Sequence, residues 1–309
     1  MQLISVIIPT FNTERFIRET IASILAQTFK DLEIIVVDDG STDRTCALIR
    51  EMGPQIRLIE QKNSGVSVAR NRGAAEARGR YLCFMDHDDY WFPDKLEMQI
   101  AEMERDDRVG VVYSTFLLWR PAETGAYPEP QGFTRNEAPD ALDPDHSGWI
   151  YRQLLIDCWV LTSSAMIRAD VFRAENGFDE SLPFSEDWDL WLRLSRVCRF
   201  SRLVRPTTLY RQHPDQGSGV FRAVDYRTRL LNAAVRKWGL AGPDGTALSR
   251  AAFRSQLSRY HMLYGLHCLK ANHVPPAWSS LVQAWLVWPF NLKSLAYIPA
   301  SALGWRPSW

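Results

Sequence analysis

The sequence predicts an α/β protein: a mixed, mostly parallel sheet flanked by helices, followed by a helical C-terminal extension. Three observations carry that prediction. Short, apolar, β-branched runs recur through the first 120 residues. Stretches with apolar residues at helical spacing separate them. From about residue 222 onward only helical patterns remain, so 1–221 reads as one domain and 222–309 as an extension.

Taken in order, Ile4 to Ile8 reads as a buried strand closed by Pro9. Across 14–27, Phe16, Ile17, Ile21, Ile24 and Leu25 fall at helical spacing. Glu33 to Val37 is a second buried strand, followed by a helix from about Asp43 to Met52 and a short strand at Ile56–Ile59. Val66 to Ala77 reads as helix and Tyr81 to Met85 as strand. Pro93 is placed to open a helix running to about Met103, and Val109–Phe116 is a further strand. Residues 120–147 break the pattern with Pro121, Pro128, Pro130, Pro139 and Pro144. A segment this long without periodicity suits a functional or disordered loop. A helix is expected near 147–156, an extended stretch at 161–168 and a helix from Glu186 to Arg196. Extended segments near 199–204 and 207–211 follow.

Composition is that of a folded globular protein, with 46% hydrophobic and 23% charged residues and no net charge. The charge is uneven, however. Residues 222–309 hold 11 Lys and Arg against 2 Asp and Glu, together with Trp238, Trp278, Trp285, Trp288, Trp305 and Trp309. That combination suits a membrane surface or an anionic partner, and equally a helical packing domain with snorkelling arginines. Cys46, Cys83, Cys158, Cys198 and Cys268 are scattered without a C-x-x-C pair, which fits a reducing cytosol rather than a disulfide framework. The start at Met1-Gln2-Leu3 lacks the features of a signal peptide. Segment 281–300 is broken by Gln283, Pro289, Asn291, Lys293 and Pro299, too polar for a confident membrane span.

Five segments carry candidate chemistry. Asp86-His87-Asp88-Asp89 follows an apolar strand, and three acids in four positions repel unless a cation or donors sit among them. Hard cations such as Mg2+ and Mn2+ prefer carboxylate oxygen and share ligands with phosphates; an acidic helix start before Pro93 is the simpler alternative. Asp38-Asp39-Gly40-Ser41-Thr42-Asp43 is good turn and cap chemistry, but leaves two acids at a strand end where a ribose or base can be held. Asn63 to Gly73 offers small residues for close backbone approach, with Arg70 and Arg72 to meet phosphate or base. In Phe184-Ser185-Glu186-Asp187, Ser185 suits a helix cap and the acids suit a helix dipole, yet a carboxylate there can also act as a general base. His213, beside Gly217-Ser218-Gly219, is a candidate metal or phosphate ligand.

In this order the segments resemble the family 2 glycosyltransferases of the GT-A fold. The resemblance covers about residues 3–219 and rests on Ser5 to Asn12, Asp38 to Asp43, Gly65 to Gly73, Phe84 to Asp89, Gly177 to Glu180, Glu186 to Trp188 and Arg211 to His213. It implies a hexosyltransferase-type enzyme, a nucleotide-diphospho-sugar donor (a UDP-sugar first) and Mn2+ or Mg2+. Pro9, Thr10 and Asn12 match the loop that holds the nucleotide, and Phe11 and Glu186 join the same nucleotide-sugar set. Asp39 matches a residue that pairs with the base, and Arg70 lies in the segment that closes over the nucleotide. Asp86 and Asp88 match the D-x-D acids assigned to ribose and metal. Asp187 matches the catalytic base of inverting members, and His213 a position that approaches metal or diphosphate. His87 departs from the pattern, standing where small residues are common.

The resemblance further implies a glycan or lipid-linked acceptor, a role in polysaccharide or cell-surface glycan assembly, and a cytoplasmic protein at most peripheral to the membrane. The tail is expected to form a dimer, complete the acceptor site or lie on a membrane. No nucleic-acid partner is expected. An inactive nucleotide-sugar-binding homologue and a metal-dependent nucleotidyltransferase stay open as alternatives. The second, like a Rossmann dehydrogenase, lacks support from any glycine-rich phosphate loop near the N-terminus.

Overall fold

The computed structural model describes residues 3–135 and 141–302 together with Trp305 and Pro307. Pro139 of the proline-rich loop and Trp309 of the tail lie outside the described residues. The chain divides into two compact units. One comprises Met1–Ile150 with Cys158–His213, the other Tyr151–Asp157 with Pro214–Trp309.

The first unit is built on one eight-stranded sheet. Its strands are β1 (Ile4–Thr10), β2 (Leu32–Asp38), β3 (Ile56–Glu60), β4 (Tyr81–Phe84), β5 (Tyr90–Trp91), β6 (Val109–Trp119), β7 (Met166–Arg168) and β8 (Arg199–Arg211). They lie in the order β3-β2-β1-β4-β7-β6-β8-β5. Parallel pairing joins β1 to β2 and β4, β2 to β3, and β6 to β8, while β5 and β7 run against their neighbours. The sheet is therefore mixed and mostly parallel.

Strands buried on both faces read as unbroken apolar runs, and β1 shows why. Ile4, Val6 and Ile8 pack with Ile17, Ile21 and Ile24 of α1 (Ile17–Leu25). Ile7 points the other way, to α3 (Val66–Glu76), where a side chain at Gly73 would collide with the Ile7 and Val37 methyls. The remaining helices of this unit are α2 (Thr45–Glu51), α4 (Lys95–Met103), α6 (Ala169–Ala174) and α7 (Glu186–Leu194).

Several boundaries differ from expectation for identifiable reasons. β1 runs two residues past Ile8, through Pro9. The Ile7 carbonyl accepts from Met85 N on the β4 side, and Pro9 faces that same side, beyond the last β1–β4 pair at Ile7 and Phe84. No ladder bond there needs the missing N–H. Pro93 does not open α4, which begins two residues later. Ser41, Thr42 and Asp43 do not occupy the cap position of α2, which falls on Arg44; Asp43 instead accepts from Thr45 N at 2.9 Å. The two extended segments at 199–211 form one strand, with a register irregularity opposite Ser114–Phe116. The loop after β6 contains short 3-10 turns at Pro130–Gly132 and Pro144–His146.

This topology positions a site. From β1 the chain steps outward to β2 and β3, then crosses back to β4 on the other side of β1. A crevice outside the carboxyl ends of strands forms at such a reversal. Thr10, Asp38 and Phe84 are the strand-end residues on that edge, and both acidic clusters follow directly.

The second unit is helical: α5 (Tyr151–Leu154), α8 (Tyr226–Trp238), α9 (Arg250–Lys270), α10 (Val274–Val287) and α11 (Leu292–Ala302). Side chains of Asp225 and Ser249 cap α8 and α9 by accepting from Thr228 N and Ala252 N, each at 3.1 Å. Leu266, Leu269, Ala277 and Leu281 form its core, and Gly265 lets α10 approach closely, since a Cβ there would meet Leu281 Cγ at 2.9 Å. The Tyr260 hydroxyl donates to the carbonyl of Ile156 at 3.0 Å, which ties the short α5 segment to this unit. Among the described residues no helix is long and apolar enough to cross a membrane.

The closeness of α3 to the sheet has a measurable consequence. Gly73→Ala is expected to destabilise the protein by about 1–3 kcal/mol through overpacking against Ile7 and Val37, read as a lower urea midpoint with an unchanged slope.

Candidate active site

The turn after β4 holds three carboxylates, and the fold supplies donors from every side. Ser163 Oγ accepts from Asp86 N at 3.0 Å. The His87 ring pairs through Nδ1 with the Pro9 carbonyl at 3.2 Å, so the bulky residue at this position is used to lock the turn to β1. Thr20 Oγ1 bonds to the carbonyls of His87 and Asp89 at 2.9 and 2.8 Å. Arg211 at the end of β8 donates from Nε to the Asp88 carbonyl at 2.5 Å and from its backbone N to Asp89 Oδ1 at 3.0 Å. The buried Arg211 guanidinium also lies 3.8 Å from the Trp119 ring centroid and 2.6 Å from Glu19.

The three acids then diverge. Asp86 turns to Arg70, Asp88 to His213, and Asp89 points inward. Burial alone would raise the Asp88 carboxyl, but the His213 hydrogen bond and the charges of His87 and His213 hold it below its ordinary value. At Asp89 the hydrogen bonds from Ser163 and Arg211 N are outweighed. Burial, with Asp88 and Asp86 nearby, pushes it well above the ordinary range.

Arg70, on α3, is buried at 4% exposure. Its two terminal nitrogens reach different carboxylates: Asp86 Oδ1 at 2.7 Å and Glu186 Oε1 at 2.8 Å. The guanidinium stacks 5.0 Å from the centroid of Phe178. One planar cation thus joins the turn after β4 to the first residue of α7.

Asp187 is the next residue along. Burial, then the neighbouring Glu186, raise its carboxyl from 3.8 to about 7, against the lowering effect of Arg70. Ser185 before it does not cap α7 with its side chain. It adopts φ 63°, ψ 22°, a left-handed conformation that non-glycine residues rarely take, and so turns the chain into the helix.

The loop after β1 and the end of β2 form a second cluster. Phe11 is 42% exposed. Asn12, at φ 48°, accepts from Thr42 N at 2.8 Å and donates its own N–H to Ser41 Oγ at 2.9 Å. Thr10 is buried, with Oγ1 3.4 Å from Asp38 Oδ1, and Asp38 in turn accepts from Ser41 N at 2.9 Å. Asp39 is buried and accepts from Ser64 N and Gly65 N, both at 2.8 Å, and from the Gln61 amide at 2.9 Å. It fastens the 61–65 loop, which leads into α3 and Arg70.

Of the sequence-identified residues, the structure brings Arg70, Asp86, Glu186 and Asp187 into one group. Asp88 pairs with His213, Nε2 to Oδ2, at 2.8 Å. Pro9 meets the turn through His87. Thr10, Asn12 and Asp39 bond within their own loops. No group of three or more His, Cys, Asp or Glu is arranged to hold a metal among the described residues. Asp88 and His213 nevertheless offer one carboxylate oxygen and one imidazole nitrogen side by side, a donor pair that suits a hard divalent cation completing its shell with water and phosphate. Arg211 and Phe178 fall within the motifs of the resemblance, where the sequence alone gives neither a role. The clue for Arg211 was its place two residues before His213; a stacking ring at Phe178 leaves no sequence signal.

Residues 5–157 match the family profile described as glycosyl transferase family 2. An uncharacterised glycosyltransferase of Rickettsia typhi is 33% identical over 198 residues, 63% of this chain and 59% of that one. The chondroitin synthase of Pasteurella multocida is 31% identical over 207 residues, 65% of this chain and 20% of that one. The chain thus spans less than two thirds of either relative. Among solved structures, residues 1–349 of S. aureus TarS in complex with UDP-GlcNAc superpose with a TM-score of 0.65 at 19% identity, covering 95% of this chain and 83% of that one. A mannosyltransferase from Pyrobaculum calidifontis in complex with GDP-Man and Mn2+ gives 0.58 at 20% identity, covering 98% and 80%. At these identities the structural likeness is one of fold.

Two stability measurements test this geometry. Arg70→Ala is expected to cost about 3 kcal/mol by leaving Glu186 and the partly exposed Asp86 unpaired. Arg70→Lys should recover only part of that, because one ammonium cannot span both carboxylates. For Asp187 the folded carboxyl titrates above its ordinary value, so the native state holds a proton that the unfolded chain has released between pH 3.8 and about 7. Asp187 therefore makes stability fall as pH rises through that window. Asp187→Asn should flatten the fall, with the variant gaining on the wild type up to about pH 7 in parallel denaturation curves.

Proposed function

Because the chain belongs to glycosyl transferase family 2 through residues 5–157 and has the GT-A fold, we propose that it is an inverting glycosyltransferase that moves a sugar from a nucleotide-diphospho-sugar to an acceptor hydroxyl. The observation that carries the reading is the Arg70 bridge. It ties the D-x-D turn to the residue beside Asp187, so the donor-facing acids and the base share one support.

The donor is a UDP-sugar in this reading. Support comes from the TarS complex with UDP-GlcNAc, while the GDP-Man complex shows that the fold admits another base. Pro9 to Asn12 and Asp39 line the nucleotide end, and Arg70 lies beside it. Asp86, partly exposed, faces the ribose. Asp88 and His213, now paired at 2.8 Å, are the residues that would hold Mn2+ or Mg2+. When bound, that ion neutralises the diphosphate as it leaves.

Asp187 takes the proton from the attacking acceptor hydroxyl. A carboxyl at about 7 is suited to this, ionised often enough to act and basic enough to accept. Attack from the face opposite the diphosphate inverts the anomeric centre in a single displacement. The helical extension from 222 serves acceptor, dimer or membrane contact. Polysaccharide or cell-surface glycan assembly is the setting suggested by the chondroitin synthase relative, and a glycan or lipid-linked acceptor goes with this reading.

A donor screen by thermal shift, with and without Mn2+ or Mg2+, followed by transfer assays, tests these assignments. Asp88→Ala should lose the metal-dependent part of the donor-induced shift. Asp187→Asn should keep that shift while transfer drops roughly 10²–10⁴-fold. Normal transfer by Asp187→Asn rules out this base, and binding without any turnover by the wild type favours the inactive homologue. Wild-type transfer should also rise with pH through about 7 as Asp187 ionises.

A further inference from the structure

We propose that the turn between α10 and α11 is a docking wedge for an anionic membrane surface. Its side chains are among the most exposed large apolar groups of the protein: Phe290 at 77%, Leu292 at 70%, Leu286 at 52% and Leu295 at 45%. They cluster within ten residues, around Trp288-Pro289-Phe290-Asn291. The Trp288 and Phe290 rings pack edge to face, 5.2 Å between centroids, which braces the tip. Exposed apolar groups gathered in this turn and on the helix ends beside it are costly to leave in water and mark a contact surface.

Charge identifies the occupant. From residue 245 to the last residue there is no Asp or Glu, while Arg250, Arg254, Arg259, Lys270, Lys293 and Arg306 supply cations. Arg254 donates from Nε to the Val287 carbonyl at 2.8 Å, which fixes a guanidinium beside the wedge. Lys293 lies on the first turn of α11. Apolar side chains flanked by cations with no acid among them match the boundary between acyl chains and anionic headgroups. Exposed Trp278 and Trp285 have the amphipathic ring that settles at such a boundary. With no helix among the described residues suited to crossing a membrane, the contact lies on the surface. Charges on this segment are of one sign only, so two copies brought face to face would repel.

The test is flotation of the full chain with vesicles of phosphatidylcholine alone or mixed with phosphatidylglycerol, in low and high salt, without donor. The wild type should float with anionic vesicles in low salt only. Phe290→Ser with Leu292→Ser should weaken that binding tenfold or more, while keeping the far-UV circular dichroism and the donor-induced thermal shift of the wild type. No flotation of the wild type, or equal flotation of the double variant, overturns the proposal. So does a wild-type dimer in light scattering that the double variant converts to monomer, which would give the face to a second copy. None of these readouts depends on turnover, so the membrane contact and the transferase reading fail separately.

Discussion

A single buried cation holds the candidate site together. Arg70 has almost no access to water, and a guanidinium in that position needs carboxylates on the lines of its N–H bonds. It finds Asp86 on the turn after β4 and Glu186 at the start of α7. These segments lie 100 residues apart in sequence. Removing the charge would leave two acids close together, beside a third that is already reluctant to ionise. Burial raises the Asp187 carboxyl first, Glu186 adds to the rise, and Arg70 restrains it.

The sheet explains why Arg70 can sit there. Reversal of strand order between β1 and β4 opens the edge at which Thr10, Asp38 and Phe84 end. α3 follows β3 and lies across β1 and β2, close enough to require Gly73, so its first turns reach the same edge. Asp39 closes the arrangement by binding the amides of Ser64 and Gly65. On the far side, Arg211 and Thr20 fix the backbone of the D-x-D turn, leaving the Asp88 side chain to His213. The turn is thus fixed by its backbone bonds, while the Asp86 and Asp88 side chains pair with Arg70 and His213.

Much of this was legible in the residues. Buried strands advertise themselves as continuous apolar runs, so β1, β2, β4 and β6 were located to within a few residues. Helices with one apolar face, such as α1 and α7, were equally plain. What failed to show was structure set by distant partners. β5 is two residues long and exists because β8 runs beside it. α6 is too short for a periodic signal. The segment at 151–157 reads as part of the first domain, yet Tyr260 binds it into the helical unit. At the site, the acids and His213 could be named from sequence, but their pairings could not. Ser185 had the chemistry of a cap and instead takes a left-handed backbone. Asp39 and Asn12, read as ligand residues, are also the fasteners of their own loops.

In the proposed reaction one set of groups binds the donor and Asp187 takes the proton, in one displacement at the anomeric carbon. The configuration of the product tests that assignment most directly. With an α-linked UDP-sugar that the protein accepts, proton NMR of the first-formed product should show a β-glycosidic linkage. An α-linked product would require a second displacement or front-face attack, and would contradict the role given to Asp187.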